Sequence, residues 1–536
     1  MKYAVNSREI KEIDEYSIKV VKIPEVVLME RAAYEVVAVM KRKLVKTDRI
    51  IVVCGQGNNG GDGVAAGRIL FLQGYHVAIL FIGEEEKASV GMKMQLEIAK
   101  NLGIKFDNCN KLCEYNIIID AIFGVGLSRS VTSPYEEVIN EINKLDCRVY
   151  SVDIPSGISA DTGKIMNVAV KADNTITFGF QKQGLLFYPG ADYGGEITVA
   201  DIGFPEAARI EADPNTFYYE KEDIKRLPYR DNYSNKGSYG KVLIIAGSKG
   251  MSGAAYLSAK AAYRTGAGLV KVLTSNENRL ILQTSLPEAL FGAYDGEKIA
   301  REEFQSKIIT ELSWASVIVI GPGLGQSDTA NILLETVLKH GKVPIIVDAD
   351  AITLLSKLLD NKLSKENENK TQTDQNLAIP FTEIGYERIH KRVECLKELT
   401  KVQMIVTPHL LELSRLIQIP ISDIVNNLVD TANQCSYNNN LIYAIKDART
   451  LVTQSAKRYI NVSGNNGMAT GGSGDILTGI IGALIAQGME PYEATCLAVY
   501  IHGLSGDYAA LRCGKYSMMA GDIIDSIEEV LLSEIF

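Results

Sequence analysis

Little in this chain of 536 residues points to a membrane or to nucleic acid. No run of eighteen consecutive apolar residues occurs, so a spanning helix is not expected. Met1 to Tyr16 alternates charged and apolar residues and lacks the apolar stretch of a secretion signal. A basic stripe is missing too, and the net charge of −9 speaks against a polyanion as the main partner. Any bound phosphate must then be met by local backbone dipoles and single lysines. Close cysteine pairs are scarce: of eight cysteines only Cys109 and Cys113 are near neighbours, and no histidine joins them. That excludes a zinc site or a disulfide framework and leaves free thiols, as expected of a cytoplasmic protein in reducing surroundings.

What is present is ordinary globular composition in a chain too long for one hydrophobic core. In the first part, continuous apolar runs at Arg49 to Cys54, His76 to Ile82, Asn116 to Phe123, Arg148 to Ile154, Asn174 to Phe180 and Glu196 to Ile202 alternate with amphipathic stretches. Continuous rather than alternating runs predict strands buried on both faces, hence a doubly wound parallel sheet. Phe204 to Lys236 has three prolines, dense charge and poor periodicity. A boundary near 215 follows, giving domains 1–215 and 216–536. The second half repeats the α/β alternation, with strands at Lys241 to Gly247, Ala267 to Thr274, Ser316 to Ile320, Val343 to Asp348 and Val402 to Thr407. Paired short strands around Leu441 to Val462 and three closing helices near 473–487, 491–512 and 520–533 complete it. The polar stretch 361–376 reads as a mobile surface insertion, followed by a solvated helix at Glu387 to Lys401.

Two regions carry chemistry. The first is Gly55 to Gly63, GQGNNGGDG, placed after a strand and read as a turn whose glycines let backbone approach a ligand. Asp120 and Asp153 stand at two further strand ends, and the carboxyl ends of parallel strands line one crevice. The second is Gly471-Gly472-Ser473-Gly474-Asp475 at the start of an apolar helix. Its N–H groups form an anion hole, and the helix field favours an ionised Asp475. GPGLG at 321–325, Asp348-Ala349-Asp350 and Thr407-Pro408-His409 are further strand-to-loop transitions.

These strings resemble two known families. GQGNNGGDG, DAIFGVGLSR and DIPSGISADTG are similar to the YjeF N-terminal family, whose enzymatic members epimerise the R and S forms of hydrated NADH or NADPH at C6 of the nicotinamide ring. KGSYGK, MSGA, GPGLG, DADAI, TPH and GGSGD resemble the YjeF C-terminal family of ADP- or ATP-dependent NAD(P)H-hydrate dehydratases within the ribokinase-like superfamily. Departures are Asn235-Lys236 for a His-Lys pair, Leu410-Leu411-Glu412 for Pro-Gly-Glu, and GGSGD for GGTGD.

The resemblance implies two α/β domains, an N-terminal Rossmann-like three-layer α/β/α and a C-terminal ribokinase-like one. For the first it implies a potassium ion on Asn59, Asp120 and Ser156. Substrate contacts carried over are Asn58, Asn59, Gly60, Gly61, Asp62, Gly124, Val125, Gly126, Leu127, Ser128, Arg129, Ser130, Tyr135 and Asp153. Asp153 is expected as the proton-transfer group, with Asp120 the runner-up.

For the second it implies that ADP or ATP, with magnesium, phosphorylates the C6 hydroxyl to drive off water. Asp475 takes the proton while Gly472, Ser473 and Gly474 hold the moving phosphoryl group. Lys446, Asp447, Ala448, Arg449 and Thr450 match the adenine-nucleotide segment, and Ala254, Gly323 and His409 match hydrate contacts. The partners implied are small molecules, neither nucleic acid nor membrane, and a homo-oligomer is expected. The competing reading is a ribokinase-like small-molecule kinase with a non-catalytic N-terminal binding or dimerisation domain.

Overall fold

The computed structural model describes residues 1–295, 301–368 and 381–532. The chain divides into two compact units, Lys2–Thr216 and Phe217–Phe536, the latter with Met1. Among the described residues no helix is long and apolar enough to cross a membrane.

The N-terminal unit runs β1 (Lys2–Val5), α1 (Ser7–Lys19), α2 (Glu25–Met40), β2 (Arg49–Cys54), α3 (Asn58–Leu72), β3 (His76–Phe81), α4 (Val90–Asn101) and β4 (Lys105–Phe106). It continues with β5 (Ile117–Ala121), α5 (Tyr135–Ile142), β6 (Arg148–Val152), β7 (Asn174–Phe178), β8 (Gln181–Lys182), α6 (Gly190–Tyr193), β9 (Glu196–Ala200) and α7 (Glu206–Ala212). Seven strands form a parallel sheet in the order β4-β3-β2-β5-β6-β7-β9. Its two faces are covered by separate apolar clusters. Ile50, Val52 and Ile119 pack with residues of α2, α3 and α4, whereas Ile51, Val53 and Ile118 pack with residues of α5. That is the three-layer arrangement the continuous apolar runs predict. Strand order reverses between β2 and β5, which opens a crevice at their carboxyl ends.

The glycine-rich segment after β2 is not a turn throughout, because α3 already begins at Asn58. A Cβ at Gly60 would lie 2.1 Å from the Gly55 carbonyl oxygen, and one at Gly63 would lie 2.3 Å from Cβ of Ala121. These glycines therefore let the first turns of the helix sit close against the sheet.

After β10 (Thr216–Tyr218) come β11 (Lys241–Ile245), α8 (Ser252–Arg264), β12 (Leu269–Ser275), α9 (Arg279–Ser285), β13 (Leu290–Tyr294), α10 (Arg301–Leu312), β14 (Val317–Ile320) and α11 (Asp328–His340). Next are β15 (Ile345–Val347), α12 (Asp350–Glu368), α13 (Phe381–Leu399), β16 (Met404–Val406), α14 (Leu410–Ile417), α15 (Ile421–Asn426) and α16 (Leu428–Cys435). The chain then forms β17 (Leu441–Ile445), β18 (Leu451–Gln454), β19 (Lys457–Ile460), α17 (Ser473–Ala486), α18 (Pro491–Cys513), α19 (Ala520–Asp525) and α20 (Ile527–Leu532). The sheet runs β13-β12-β11-β14-β15-β16-β17-β18-β19, parallel as far as β17 and antiparallel beyond it. Here the order reverses between β11 and β14.

Apolar on every side, α17 is buried along almost its whole length. It packs against α8 so closely that a Cβ at Gly479 would lie 2.1 Å from the Ser258 carbonyl oxygen.

Several elements differ from the sequence reading. Edge strand β13 was not expected, since Leu290-Phe291-Gly292-Ala293-Tyr294 is half exposed and interrupted by glycine. The closing helix expected over 520–533 is two helices that break at Ser526. Residues 361–368 of the polar stretch continue α12, because adding turns to a helix anchored by Leu354, Leu355 and Leu359 costs little. The expected mobile insertion thus loses that part, and 369–376 lie outside the described residues. In α13, Ile389, Val393 and Leu396 recur at helical spacing and are buried, so this helix has an apolar face and is not solvated all round.

Candidate functional sites at two sheet switch points

In the N-terminal unit the crevice is a cavity of about 830 Å³. Its walls include Asn58, Asn59 and Asp62 from α3, Gly124 to Ser130 after β5, Tyr135 at the start of α5, and Asp153 after β6. The three motifs do meet there. Gly60 and Gly61 are buried beneath, where a Cβ at Gly61 would touch Met29.

Asp153 has a left-handed backbone at φ +65°, an uncommon conformation for a residue with a side chain. Its Oδ1 accepts from Lys182 Nζ at 2.7 Å, from Thr177 Oγ1 at 3.1 Å and from the Phe178 N–H at 3.1 Å. Lys182 is 1% exposed and also donates to the carbonyls of Phe178 and Phe180. The motif reading missed Lys182, Asp14 and Glu25, all of which line the cavity. Asp14 and Glu25 belong to α1 and α2, far from any glycine-rich string, and β8 is only two residues long.

Asp120 is fully buried and does not line the cavity. Its carboxylate accepts from Ser151 Oγ at 2.7 Å, from Ser156 Oγ at 2.5 Å and from the Ser156 N–H at 2.9 Å. Burial raises its pKa against those hydrogen bonds. Such a group holds its neighbours in place and is badly placed to reach a substrate. The Nδ2 of Asn59 is buried without a partner among the described residues, and the Phe123 carbonyl accepts from Ser156 Oγ at 3.3 Å. Oxygen donors with a single carboxylate suit a hard monovalent cation, so the potassium expectation fits these residues. Among the described residues no group of three or more His, Cys, Asp and Glu could hold a metal ion.

In the C-terminal unit the equivalent loops interlock. The Gly247 N–H donates to the Pro322 carbonyl at 2.9 Å, and the Gly325 N–H donates to Asp350 Oδ2 at 2.8 Å. At φ +56° Gly323 lies against Ala254, where its Cβ would come within 3.0 Å of that of Ala254. Asp348, 1% exposed at the end of β15, accepts from Lys446 Nζ at 2.8 Å.

Gly472 is the left-handed cap of α17; the first-turn N–H groups of Gly474 and Asp475 have no acceptor within the helix, and that of Ser473 makes only a long bond of 3.4 Å to the Thr470 carbonyl. A Cβ on Gly474 would face Lys446 Nζ at 3.2 Å and Asp348 Oδ2 at 3.6 Å. The anion hole and the lysine are therefore adjacent. The carboxyl of Asp475 is pushed up to about 7, by burial first and then by Asp348, while Lys446 opposes the shift. Burial thus overrides the helix field that was expected to keep it ionised.

His409 caps α14: its Nδ1 accepts from the Glu412 N–H at 3.2 Å, and its own N–H donates to Glu412 Oε2 at 2.9 Å. Its backbone bridges to Lys446. Of the segment Lys446 to Thr450, Lys446 turns inward, Asp447 and Ala448 are exposed at the tip of the β17–β18 connection, and Arg449 donates to the Val462 carbonyl at 2.7 Å. Sequence reasoning missed His502 of α18, whose Nε2 lies 3.2 Å from Ser473 Oγ. Burial pushes that imidazole down to about 4, which leaves it neutral near pH 7.

Residues 25–184 match the family described as YjeF-related protein N-terminus. Residues 242–373 and 388–529 match the family described as NAD(P)H-hydrate dehydratase. A bifunctional NAD(P)H-hydrate repair enzyme of Moorella thermoacetica is 32% identical, over 99% of this chain and 96% of that one. That of Coxiella burnetii is 33% identical, over 96% and 97%. The chain belongs to the bifunctional NAD(P)H-hydrate repair enzymes.

The same family includes the Escherichia coli enzyme, 31% identical over 90% of this chain and 85% of that one. Among solved structures, the ADP/ATP-dependent NAD(P)H-hydrate dehydratase of Bacillus subtilis, co-crystallised with ATP and Mg²⁺, covers 59% of this chain and 98% of its own. It is 23% identical with a TM-score of 0.45. A ribokinase-like superfamily protein of Enterococcus faecalis is 29% identical, covers 60% of this chain and 96% of its own, and has a TM-score of 0.46.

Proposed function

We propose that the chain repairs hydrated NAD(P)H in two steps, epimerisation at C6 in the Lys2–Thr216 unit and nucleotide-driven dehydration of the S form in the Phe217–Phe536 unit. The observation that carries the second step is the cluster made by Asp475, Lys446 and the buried Asp348 at the start of α17. Asp475, near neutrality in its affinity for a proton, takes the proton of the C6 hydroxyl as that oxygen attacks the terminal phosphorus of ADP or ATP. The N–H groups of Ser473 and Gly474, capped by Gly472, hold the charge of the phosphoryl group, and Lys446 supplies a cation beside it. Loss of the phosphate from C6 and of a proton from C5 restores the dihydronicotinamide. Magnesium comes with the nucleotide and takes its ligands mainly from phosphate and water. Ala254, Gly323 and His409 line the hydrate side, and the turn from Lys446 to Thr450 meets the nucleotide.

In the N-terminal unit we assign Asp153 as the base and Asn58, Asn59, Asp62, Gly124 to Ser130 and Tyr135 as substrate contacts. Asn59, Asp120 and Ser156 would hold a potassium ion, which supplies positive charge next to a buried carboxylate. We also propose a cytoplasmic setting and self-association, the latter because Val20, Val21, Val26 and Val27 are all exposed around the α1–α2 connection.

Product analysis separates this reading from that of a small-molecule kinase. With the S hydrate and either ADP or ATP, free orthophosphate and reduced nucleotide should appear together. A phosphorylated hydrate that accumulates would instead favour the kinase.

A further inference from the structure

Four carboxyl groups from four separate segments face the N-terminal cavity: Asp14 on α1, Glu25 on α2, Asp62 on α3 and Asp153 after β6. The cations that line it are Lys11, Arg129 and Lys182. Their partners make the carboxyl groups unequal. Glu25 is tied to the Asn58 side chain. Asp153 has one oxygen, Oδ1, bound by three donors, one of them the buried ammonium of Lys182, while among the described residues no donor reaches Oδ2. Asp62 lines the same wall with neither a hydrogen bond nor an ion pair among the described residues. Burial, and then the charges of Asp153, Asp14 and Glu25, hold its carboxyl well above the usual range.

We propose that Lys182 divides the work between two carboxyl groups of this cavity: it positions Asp153 as the carboxylate that accepts a proton, and Asp62 is the carboxylic acid that supplies one. Two carboxyl groups of one cavity with different partners can serve as an acid–base pair. The proposal rests on the reading of this unit as the epimerase with Asp153 as its base.

The chemistry of the substrate needs both groups. At C6 the hydrated ring carries a hydroxyl and the ring nitrogen N1 on one carbon. Asp153 takes the hydroxyl proton and Asp62 gives a proton to N1 as the C6–N1 bond breaks and the C6=O bond forms. The resulting aldehyde turns about its C5–C6 bond. N1 then adds to the opposite face, Asp62 recovers its proton from N1, and Asp153 returns one to oxygen. Atoms and charge balance with no redox partner, and Lys182 exchanges no proton in the cycle.

The test is the pH dependence of R-to-S equilibration by the full chain, followed chromatographically, for wild type and the variants Asp62→Asn, Lys182→Met, Lys182→Arg and Asp153→Asn. Melting curves and S-hydrate dehydration by the same preparations show that the variants are folded. A bell-shaped wild-type profile is expected. Asp62→Asn should lower kcat by roughly 10²- to 10⁴-fold, with KM little changed, and abolish the alkaline fall. Lys182→Met should move the acid limb to higher pH, and Lys182→Arg should restore part of it. If Lys182→Met does not fold, Asp62→Asn still decides. Wild-type kcat and alkaline fall in Asp62→Asn, or an unmoved acid limb in folded Lys182→Met, would overturn the proposal even with Asp153→Asn inactive. An active Asp153→Asn would overturn the underlying reading as well.

Discussion

Lys446 Nζ lies 2.8 Å from Asp348 Oδ1, and a Cβ at Gly474 would stand only 3.2 Å from the same Nζ. One half-buried cation thus connects a strand end to the first turn of α17, where Asp475 is pushed up to about 7. Removing the lysine leaves the buried Asp348 carboxylate without its cation, a loss that reaches about 3–5 kcal/mol in fully buried pairs and is smaller here because Lys446 is partly exposed. Lys446→Met should therefore lower the melting temperature. It should also shift the pH dependence of dehydration upward, because Lys446 opposes the rise in Asp475. Paired melting curves and pH–rate profiles check both effects.

Asp475 itself should show a conflict between activity and stability. Its folded pKa lies above the ordinary 3.8, so between those values the folded state binds more protons than the unfolded one. Its contribution to stability is therefore lost as pH rises through that window. Asp475→Asn should raise Tm above pH 7 while reducing dehydration by about 10²- to 10⁴-fold and sparing epimerisation. Calorimetry at pH 5 and pH 8 reads the sign, since the gain should be larger at pH 8.

Two glycines of α17 should fail in different ways. Gly474→Ala faces the movable end of Lys446, so it should keep the fold but raise the KM for nucleotide by roughly tenfold or more, about 1.4 kcal/mol. Gly479→Ala meets the Ser258 backbone at 2.1 Å and should destabilise the α8–α17 contact by about 1–3 kcal/mol. Nucleotide titrations set beside denaturant unfolding distinguish the two.

Exchange of potassium for a bulky organic cation should slow epimerisation reversibly and leave dehydration by the other unit less affected. Asp120→Asn places an amide where two serine hydroxyls and an N–H donate, at a cost of about 1–3 kcal/mol. In that variant the response to potassium should disappear. A wild type indifferent to the cation would remove the ion from Asn59, Asp120 and Ser156.

Most strands were legible because Arg49–Cys54, Ile117–Ala121 and Lys241–Ile245 are continuous apolar runs, and the residues just beyond such runs fall at the switch points. The groups that complete the sites were not legible for a physical reason. Lys182 lies in a two-residue strand, Asp14 and Glu25 come from helices that precede the first motif, and His502 is one polar residue in a buried helix. Only the fold brings them beside Asp153, Asp62 and Ser473. The glycines after β2 carry a second role that the motif does not reveal, since Gly60 and Gly63 also let the start of α3 pack against the sheet.

The most direct test of a two-step repair starts from the R hydrate alone, which is not the form that the dehydratase reading takes. With the full chain and ADP or ATP, complete recovery of dihydronicotinamide absorbance with an equal release of orthophosphate is expected, and Asp153→Asn should leave the R form behind. No recovery with either nucleotide, or full and equally fast recovery by the Asp153→Asn chain, would contradict the account.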